Sequence, residues 1–283
     1  MKLGVTLEGG ASRTVFSCGV MDVLMEENIM ADYIIGASAG ISYAVSYASR
    51  QKGRNLDITR KYMDDKRYMG ARHLISPKNR GYYNLNFVYD ELPNKLVPFD
   101  YVEFTNFKGE IIAVVTNIDT GKAEYLEVPR NDKTWQVLRA SCALPILFPK
   151  IKIGGKFYMD GGVADSIPFE KAISEGCNKN IVVLTRERSY IKAPERAGAV
   201  AEILYRKHPD FVRAMKTRAD RYNQAIKTLA ELEKEGKVFV IAPTNTYGIN
   251  RTENNPQKLE VLYNHGIKQT KKRMEELKAY LEK

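Results

Sequence analysis

Cysteine is scarce in this sequence, limited to Cys18, Cys142 and Cys177. Three scattered thiols are too few for a disulfide framework or a zinc site, so no structural metal is expected. Long apolar runs are also missing. No stretch reaches the roughly 18 residues that a membrane span needs, which argues against a polytopic membrane protein. The opening residues, MKLGVTLEGG, lack the apolar segment of a secretory signal and carry Glu8 where it would lie. A reducing, cytoplasmic compartment is the expectation. Internal repeats and low-complexity tracts are absent. Histidine is limited to His73, His208 and His265, which narrows the choice of catalytic base.

What is present fits a globular chain of 283 residues, 44% hydrophobic and 28% charged. That length buries a sizeable core in one large α/β domain or two small ones. Lysine and arginine number 44 against 34 acidic residues, a net charge of +10 that favours anionic partners. The excess is concentrated between Arg50 and Arg80, where ten basic residues face three acidic ones. Tyr82, Tyr83, Phe87 and Tyr89 follow. Basic residues followed by aromatics can dock on a membrane surface or single-stranded nucleic acid, or form a solvated helix and a packed loop.

Periodicity supplies the architecture. Lys2–Leu7 reads as a strand ending in Glu8-Gly9-Gly10, and Thr14–Asn28 has helical spacing. Tyr33–Ile35 is a second strand, followed by Gly36-Ala37-Ser38-Ala39-Gly40 and a helix over Ile41–Arg50. Two strand-turn-helix units in succession predict a parallel, helix-covered sheet. Glu110–Thr116 suits a buried central strand, with Lys122–Val128 as its antiparallel neighbour. Thr134–Ala143 looks helical, and Ile151–Met159 forms a hairpin running into Asp160-Gly161-Gly162. Pro168–Glu175 reads as a short helix and Asn180–Thr185 as a buried strand. Residues 187–236 read as mostly helical, Val238–Ala242 as a last strand, and 256–283 as one amphipathic helix. The expected division is a core over 1–185 and a C-terminal helical extension over 186–283, packed on it.

Three sites carry candidate chemistry. Gly36–Gly40 fits G-x-S-x-G, a sharp strand-to-helix turn that exposes Ser38 Oγ beside a helix N-terminus. Glu8–Thr14 is a second glycine turn, whose convergent N–H groups can hold an oxyanion; losing one such donor costs about 3 kcal/mol. Its spacing fits neither G-x-G-x-x-G nor G-x-x-x-x-G-K-[ST], so it is not a nucleotide-phosphate loop. Asp160, at a strand end before two glycines, is a candidate base or a turn cap. A carboxylate is a weak base near pH 4 and works only if its environment raises its pKa. The order Ser38, Asp160, then His208 or His265 also fits a histidine-dependent triad, although too few strands precede Ser38 for an α/β-hydrolase.

Taken in order, E-G-G-x-x-R, G-A-S-A-G, A-S-C-A-L-P-I-L-F-P and D-G-G-V-A-D-S-I-P resemble the patatin-like phospholipases. The stretch holding G-I-N-R-T-E is similar to the tail of a bacterial subgroup. The resemblance implies a three-layer α/β/α fold with a mostly parallel central sheet. It implies a serine acyl-ester hydrolase of phospholipase A or lysophospholipase type, with Ser38 as nucleophile and Asp160 as its base in a dyad without histidine. Gly9, Gly10, Ala11 and Arg13 would form the oxyanion turn. Ala11 and Thr14 stand where the family has glycines, and alanine is costly at position 11 if the turn needs a positive φ. These departures motivate an alternative, a lipid-binding or regulatory protein with little turnover. No cofactor is implied. The expected partners are a phospholipid or other acyl ester and, through the basic segment, the periphery of an anionic membrane; nucleic acid is not expected.

Overall fold

Alternation along the strands separates two faces, and the chain covers both. The computed structural model describes residues 1–77, 79–194 and 198–283, so Lys78 of the basic segment and residues 195–197 lie outside it. The first two units are β1 (Leu3–Leu7), α1 (Val15–Glu26), β2 (Tyr33–Ala37) and α2 (Ala39–Ala48). A single 3-10 turn, Ala11–Thr14, joins β1 to α1. Helices α3 (Arg54–Tyr62) and α4 (Tyr101–Asn106) lead to β3 (Glu110–Asn117) and β4 (Ala123–Glu127). Then come α5 (Gln136–Ser141), the hairpin β5 (Ile151–Ile153) and β6 (Lys156–Asp160), α6 (Phe169–Ser174) and β7 (Lys179–Val183). The remainder holds α7 (Gly198–Leu204), α8 (Pro209–Lys216), α9 (Arg218–Lys234), β8 (Phe239–Ile241), α10 (Pro256–Lys272) and α11 (Met274–Glu282).

The eight strands make one sheet, ordered β5-β6-β3-β2-β1-β7-β8, with β4 also paired to β3. From β3 through β8 the pairings are parallel; β4, β5 and β6 add antiparallel partners. In β3, Ile111 and Ala113 pack into the main core while Ile112 and Val114 pack on the opposite face. In β7, Ile181 and Val183 join the first face and Val182 the second. A period-2 pattern that is apolar on both faces requires two covering layers. Helices α1, α2 and α10 cover one face, while α6 and α9 supply Phe169, Tyr222 and Leu229 to the other. The three-layer, mostly parallel α/β/α reading stands. Strand β8 adds to the same sheet through parallel pairing with β7.

Two readings need correction, and one left open is narrowed. The terminal helix is two helices, because the chain turns at Arg273, whose guanidinium bonds the Val240 carbonyl and lies 4.2 Å from the Phe239 ring. Residues 187–194 are not helical; Asn223 of α9 clamps this stretch through both backbone groups of Lys192, at 2.8 and 3.0 Å. The aromatics after the basic segment turn inward. Phe87 and Tyr89 open a π-helical segment, Phe87–Leu96, and both are buried. Part of the basic charge is paired within the molecule. Lys52, Arg60, Lys61 and Arg67 are ion-paired, and Arg54 turns inward to Ser46 and the Val97 carbonyl. Among the described residues, no helix is long and apolar enough to cross a membrane.

Candidate active site

Sheet register explains how Ser38 and Asp160, far apart in sequence, come together. Strand β4 fills one edge of β3 from Ile112 to Thr116, so β2 and β6 share the other. Strand β2 runs parallel to β3 and its last residue, Ala37, pairs with Val114. Strand β6 runs antiparallel and its last residue, Asp160, pairs with Val115. The two strands therefore meet end to end on adjacent rungs, with Ser38 one residue beyond Ala37.

Ser38 holds φ 53° and ψ −132°, a sparsely populated conformation that costs about 1–3 kcal/mol and persists only when its surroundings enforce it. Two features enforce it. The Ser38 N–H donates to Ser141 Oγ at 2.9 Å, and Ser141 Oγ donates to the Val114 carbonyl at 2.7 Å, tying the elbow to β3. Gly40 lets the start of α2 approach β1; a Cβ there would lie 2.6 Å from the Leu7 carbonyl oxygen. The serine is thus presented at the N-terminus of α2, where unpaired N–H groups favour developing negative charge.

Asp160 is 1% exposed. Its N–H donates to the Ala143 carbonyl at 2.8 Å and its Oδ1 accepts from the Gly162 N–H at 2.8 Å. The turn-cap reading of this residue is realised by one oxygen, and the other is left over. Oδ2 is buried with no hydrogen-bond partner among the described residues. Burial pushes the carboxyl pKa up, while Arg218, the Ser38 hydroxyl, the Gly162 N–H and Arg251 draw it partly back. The Ser38 hydroxyl is therefore a near neighbour of the carboxyl, although its geometry falls short of a formed bond to Oδ2. Such bonds are commonly loose without substrate.

The first glycine turn lies against the elbow. A Cβ on Gly9 would come within 2.8 Å of the Ala37 carbonyl oxygen and 3.1 Å of Ser38 Cβ. Ala11 does adopt a positive φ, 49°. The conformation that alanine resists by roughly 1–2 kcal/mol is held all the same. Ser12 fixes it from the next position, donating both N–H and Oγ to the Arg251 carbonyl at 3.3 and 3.0 Å. Gly10 and Ala11 head the 3-10 turn, at the end where backbone donors lack helical partners. Arg13 is 5% exposed, and its Nε has no hydrogen-bond partner. Desolvation, then Arg186 and Arg251, push its pKa down to about 10, against the pull of Glu8.

Ser38 stands where two cavities of opposite chemistry meet. On one side lies a largely apolar cavity of about 120 Å³, walled by residues such as Val45, Ile58, Leu92, Phe99 and Leu138. On the Asp160 side a smaller cleft of about 30 Å³ is ringed by Arg13, Arg186, Lys192, Arg218 and Arg251. None of the three histidines lines either cavity. His208 pairs with Asp119 at 3.0 Å, and His265 packs on Phe16 beside Thr244. Among the described residues, no group of three or more histidine, cysteine, aspartate or glutamate side chains could hold a metal ion.

Some of the site was not anticipated. Ser141 supports the elbow and lies inside the A-S-C-A-L-P motif, a signal that pointed to the segment but not to this role. Tyr83 and Tyr89 line the apolar cavity. Arg186, Lys192, Arg218 and Arg251 are scattered among the charged residues of the C-terminal third, where no local pattern marks them.

A strained strand-to-helix serine beside a buried carboxyl, on a three-layer α/β/α scaffold, has the architecture of a serine hydrolase. Comparison with known proteins makes this specific. The patatin-like phospholipase model matches residues 5–173, and the chain belongs to that family. A domain of unknown function, DUF6363, matches residues 208–282. The uncharacterized protein YjjU of Escherichia coli (strain K12) is 27% identical over 65% of this chain and 52% of its own length. Lysophospholipase NTE1 of Meyerozyma guilliermondii is 23% identical over 64% of this chain and 12% of its own. The same enzyme of Cryptococcus neoformans is 26% identical over 64% of this chain and 11% of its own. The chain thus spans about half of YjjU and a small part of the lysophospholipases. Among solved structures, VipD from Legionella pneumophila aligns over 97% of this chain and 67% of its own, at 14% identity and a TM-score of 0.48.

Proposed function

We propose that the protein is a lipid acyl-ester hydrolase of phospholipase A or lysophospholipase type, acting through a Ser38–Asp160 dyad. The observation that carries the reading is the meeting of β2 and β6 on one edge of β3, which sets a strained serine beside a buried carboxyl with one unpartnered oxygen. Family membership and the lysophospholipase relatives support the lipid ester as substrate class.

Ser38 Oγ attacks the acyl carbonyl as its proton passes to Asp160 Oδ2. The tetrahedral oxyanion accepts hydrogen bonds from the N–H groups of Gly10 and Ala11, with Gly9 shaping the turn and Arg13 adding positive potential. Collapse breaks the ester C–O bond, and the leaving alcohol takes the proton from Asp160. A water molecule then gives its proton to Asp160 and attacks the acyl-serine, releasing a carboxylic acid and returning the proton to Ser38. The raised pKa of Asp160 makes it a stronger base than an exposed carboxylate. The apolar cavity would take the acyl chain.

The test is hydrolysis of short-chain p-nitrophenyl esters and of phospholipids by wild type and Ser38→Ala. The proposal predicts loss of turnover in the variant; equal rates would end it. Peripheral contact with an anionic membrane in the cytoplasm belongs to the same proposal. It predicts binding to acidic vesicles that weakens with salt, since surface charge is screened over about 8–10 Å at physiological ionic strength. Binding that salt does not weaken would remove that part.

A further inference from the structure

The apolar cavity beside Ser38 holds a single charge. Among the described residues that line it, Arg54 alone has a charged side chain, set amid Val45, Ile58, Met63, Leu92 and Phe99. The guanidinium is only partly used. Nη2 donates to the Val97 carbonyl at 2.9 Å, Nη1 reaches Ser46 Oγ at 3.3 Å, and the group lies 5.2 Å from the centre of the Phe99 ring. Nε is buried with no hydrogen-bond partner among the described residues. Burial draws the Arg54 pKa down to about 10, opposed by the Tyr101 and Tyr68 hydroxyls and by no described carboxyl group. Asp22 accepts instead from the Gly53 N–H and the Tyr263 hydroxyl. A cation removed from water without an anion is unfavourable, so this placement calls for a reason.

Helix α2 sets the distance from the nucleophile. Ser38, Ser42 and Val45 line the cavity at helical spacing along one face, and Ser46, the residue that Arg54 touches, follows directly. Ser46 lies about two turns beyond Ser38, or about 12 Å along the helix axis. An extended acyl chain covers that distance in roughly eight to ten carbons, because C–C bonds of about 1.5 Å project somewhat less along the chain. The backbone under Arg54 is fixed as well. It heads α3 directly after Gly53, which holds φ 78° and whose N–H is bound by Asp22 at 2.9 Å. The cavity therefore runs from the serine, past apolar side chains, to a positioned guanidinium.

We propose that Arg54 makes the far end of this cavity an anion site, so that the protein favours acyl chains ending in a carboxylate, such as half-esters of dicarboxylic acids, over plain chains of the same length. The inference rests on the proposed hydrolase and its acyl cavity, and names the acyl group taken there. Nε–H with an Nη–H beside it is the fork that meets a carboxylate through two parallel bonds. The apolar wall accepts the methylenes, and the arginine accepts the terminal charge. The guanidinium has already lost much of its hydration in the folded protein, so the main cost of pairing is that of the carboxylate. A methyl terminus at the same depth leaves the cation unpaired. A chain too short to reach Arg54 strands its carboxylate among apolar side chains, so the preference should vanish as the chain shortens.

Two measurements test it. The first compares kcat/KM on the p-nitrophenyl half-ester of nonanedioic acid and on p-nitrophenyl nonanoate, for wild type, Arg54→Gln and Arg54→Lys. Wild type should favour the half-ester by about tenfold or more, the scale of one charge-assisted hydrogen bond. Arg54→Gln should abolish that ratio. Arg54→Lys, which keeps the charge and loses the fork, should retain part of it, and serves alone if the glutamine variant does not fold. No preference in wild type, an unchanged ratio in the variants, or an equal preference for the half-ester of butanedioic acid over the butyryl ester overturns the proposal. The second needs no turnover: calorimetry of monomethyl nonanedioate and methyl nonanoate binding to Ser38→Ala, with and without Arg54→Gln. Tighter binding of the acid ester that disappears with Arg54→Gln supports the anion site. Equal binding of the two esters, or a difference that survives Arg54→Gln, overturns it. Arg54-dependent binding by a protein that cleaves no ester keeps the anion site and ends the hydrolase reading; cleavage of both esters at equal kcat/KM does the reverse.

Discussion

The two walls around Ser38 differ in chemistry and in origin. Among the described residues, the apolar cavity is lined by residues between Ala11 and Phe148, all within the family match. The cationic cleft draws Arg186, Lys192, Arg218 and Arg251 from beyond it. One wall is built by the fold that the family shares, and the other is brought to it by the chain that follows. The contrast teaches that the part common to the family holds the proposed nucleophile, base and acyl site, while the C-terminal region brings cations to the Asp160 side. Arg218 and Arg221 make the connection physical: Arg218 bonds the Gly162 carbonyl at 2.6 Å, and Arg221 bonds those of Val163 and Ala164 at 2.7 and 3.1 Å. The turn after Asp160 is held from outside the core.

Substitutions can break this contrast at its junction first. Asp160→Asn keeps the acceptor for the Gly162 N–H and removes the base. Ester hydrolysis should fall by roughly 10²–10⁴, read as kcat on a p-nitrophenyl ester. The same variant reports on stability. The Asp160 pKa is raised by folding, so its charge opposes the fold once ionised. Stability is full below the unfolded pKa and is lost as pH rises through the higher folded value. Urea unfolding should therefore show the asparagine variant gaining on wild type as pH rises from about 4, the unfolded value, to 8. Ser141→Ala tests the support behind the apolar wall. It strands a buried N–H on Ser38 and should cost about 1–3 kcal/mol in unfolding free energy.

Filling either wall separates the two further. Val88→Phe projects into the apolar cavity from the π-helical segment. It should lower the preference for long over butyryl p-nitrophenyl esters by about tenfold, the worth of roughly two methylenes at 0.8 kcal/mol each. The smallest effect comes from the cationic side. Arg218→Gln removes the largest of the influences that hold the Asp160 pKa down. The acid limb of kcat/KM should move to higher pH, in a protein whose circular dichroism matches wild type. Movement to lower pH would contradict the assigned electrostatics.

Much of this was legible in residues. The strands from β1 to β7 declare themselves by apolar run and length, and Gly36–Gly40 and Asp160-Gly161-Gly162 mark turns whose chemistry is local. The cost of alanine at position 11 was legible too, because a positive φ penalises any Cβ. What was hidden is long-range. No spacing shows that β6 lies end to end with β2 along one edge of β3, since register is set by the assembled sheet. Nor does any pattern around Arg186, Lys192, Arg218 or Arg251 distinguish them from solvated charges of the same helices and loops. The break at Arg273 was equally invisible, because the apolar period continues through it while the side chain is captured by the Val240 carbonyl.

Central to the account is proton transfer from Ser38 to Asp160. The most direct measurement is the rate of covalent labelling by a fluorophosphonate, with the adduct located by peptide mass spectrometry. The account predicts a stoichiometric adduct on Ser38 in wild type and sharply slower labelling in Asp160→Asn. An adduct on another residue, or equal labelling rates in the two proteins, would contradict it.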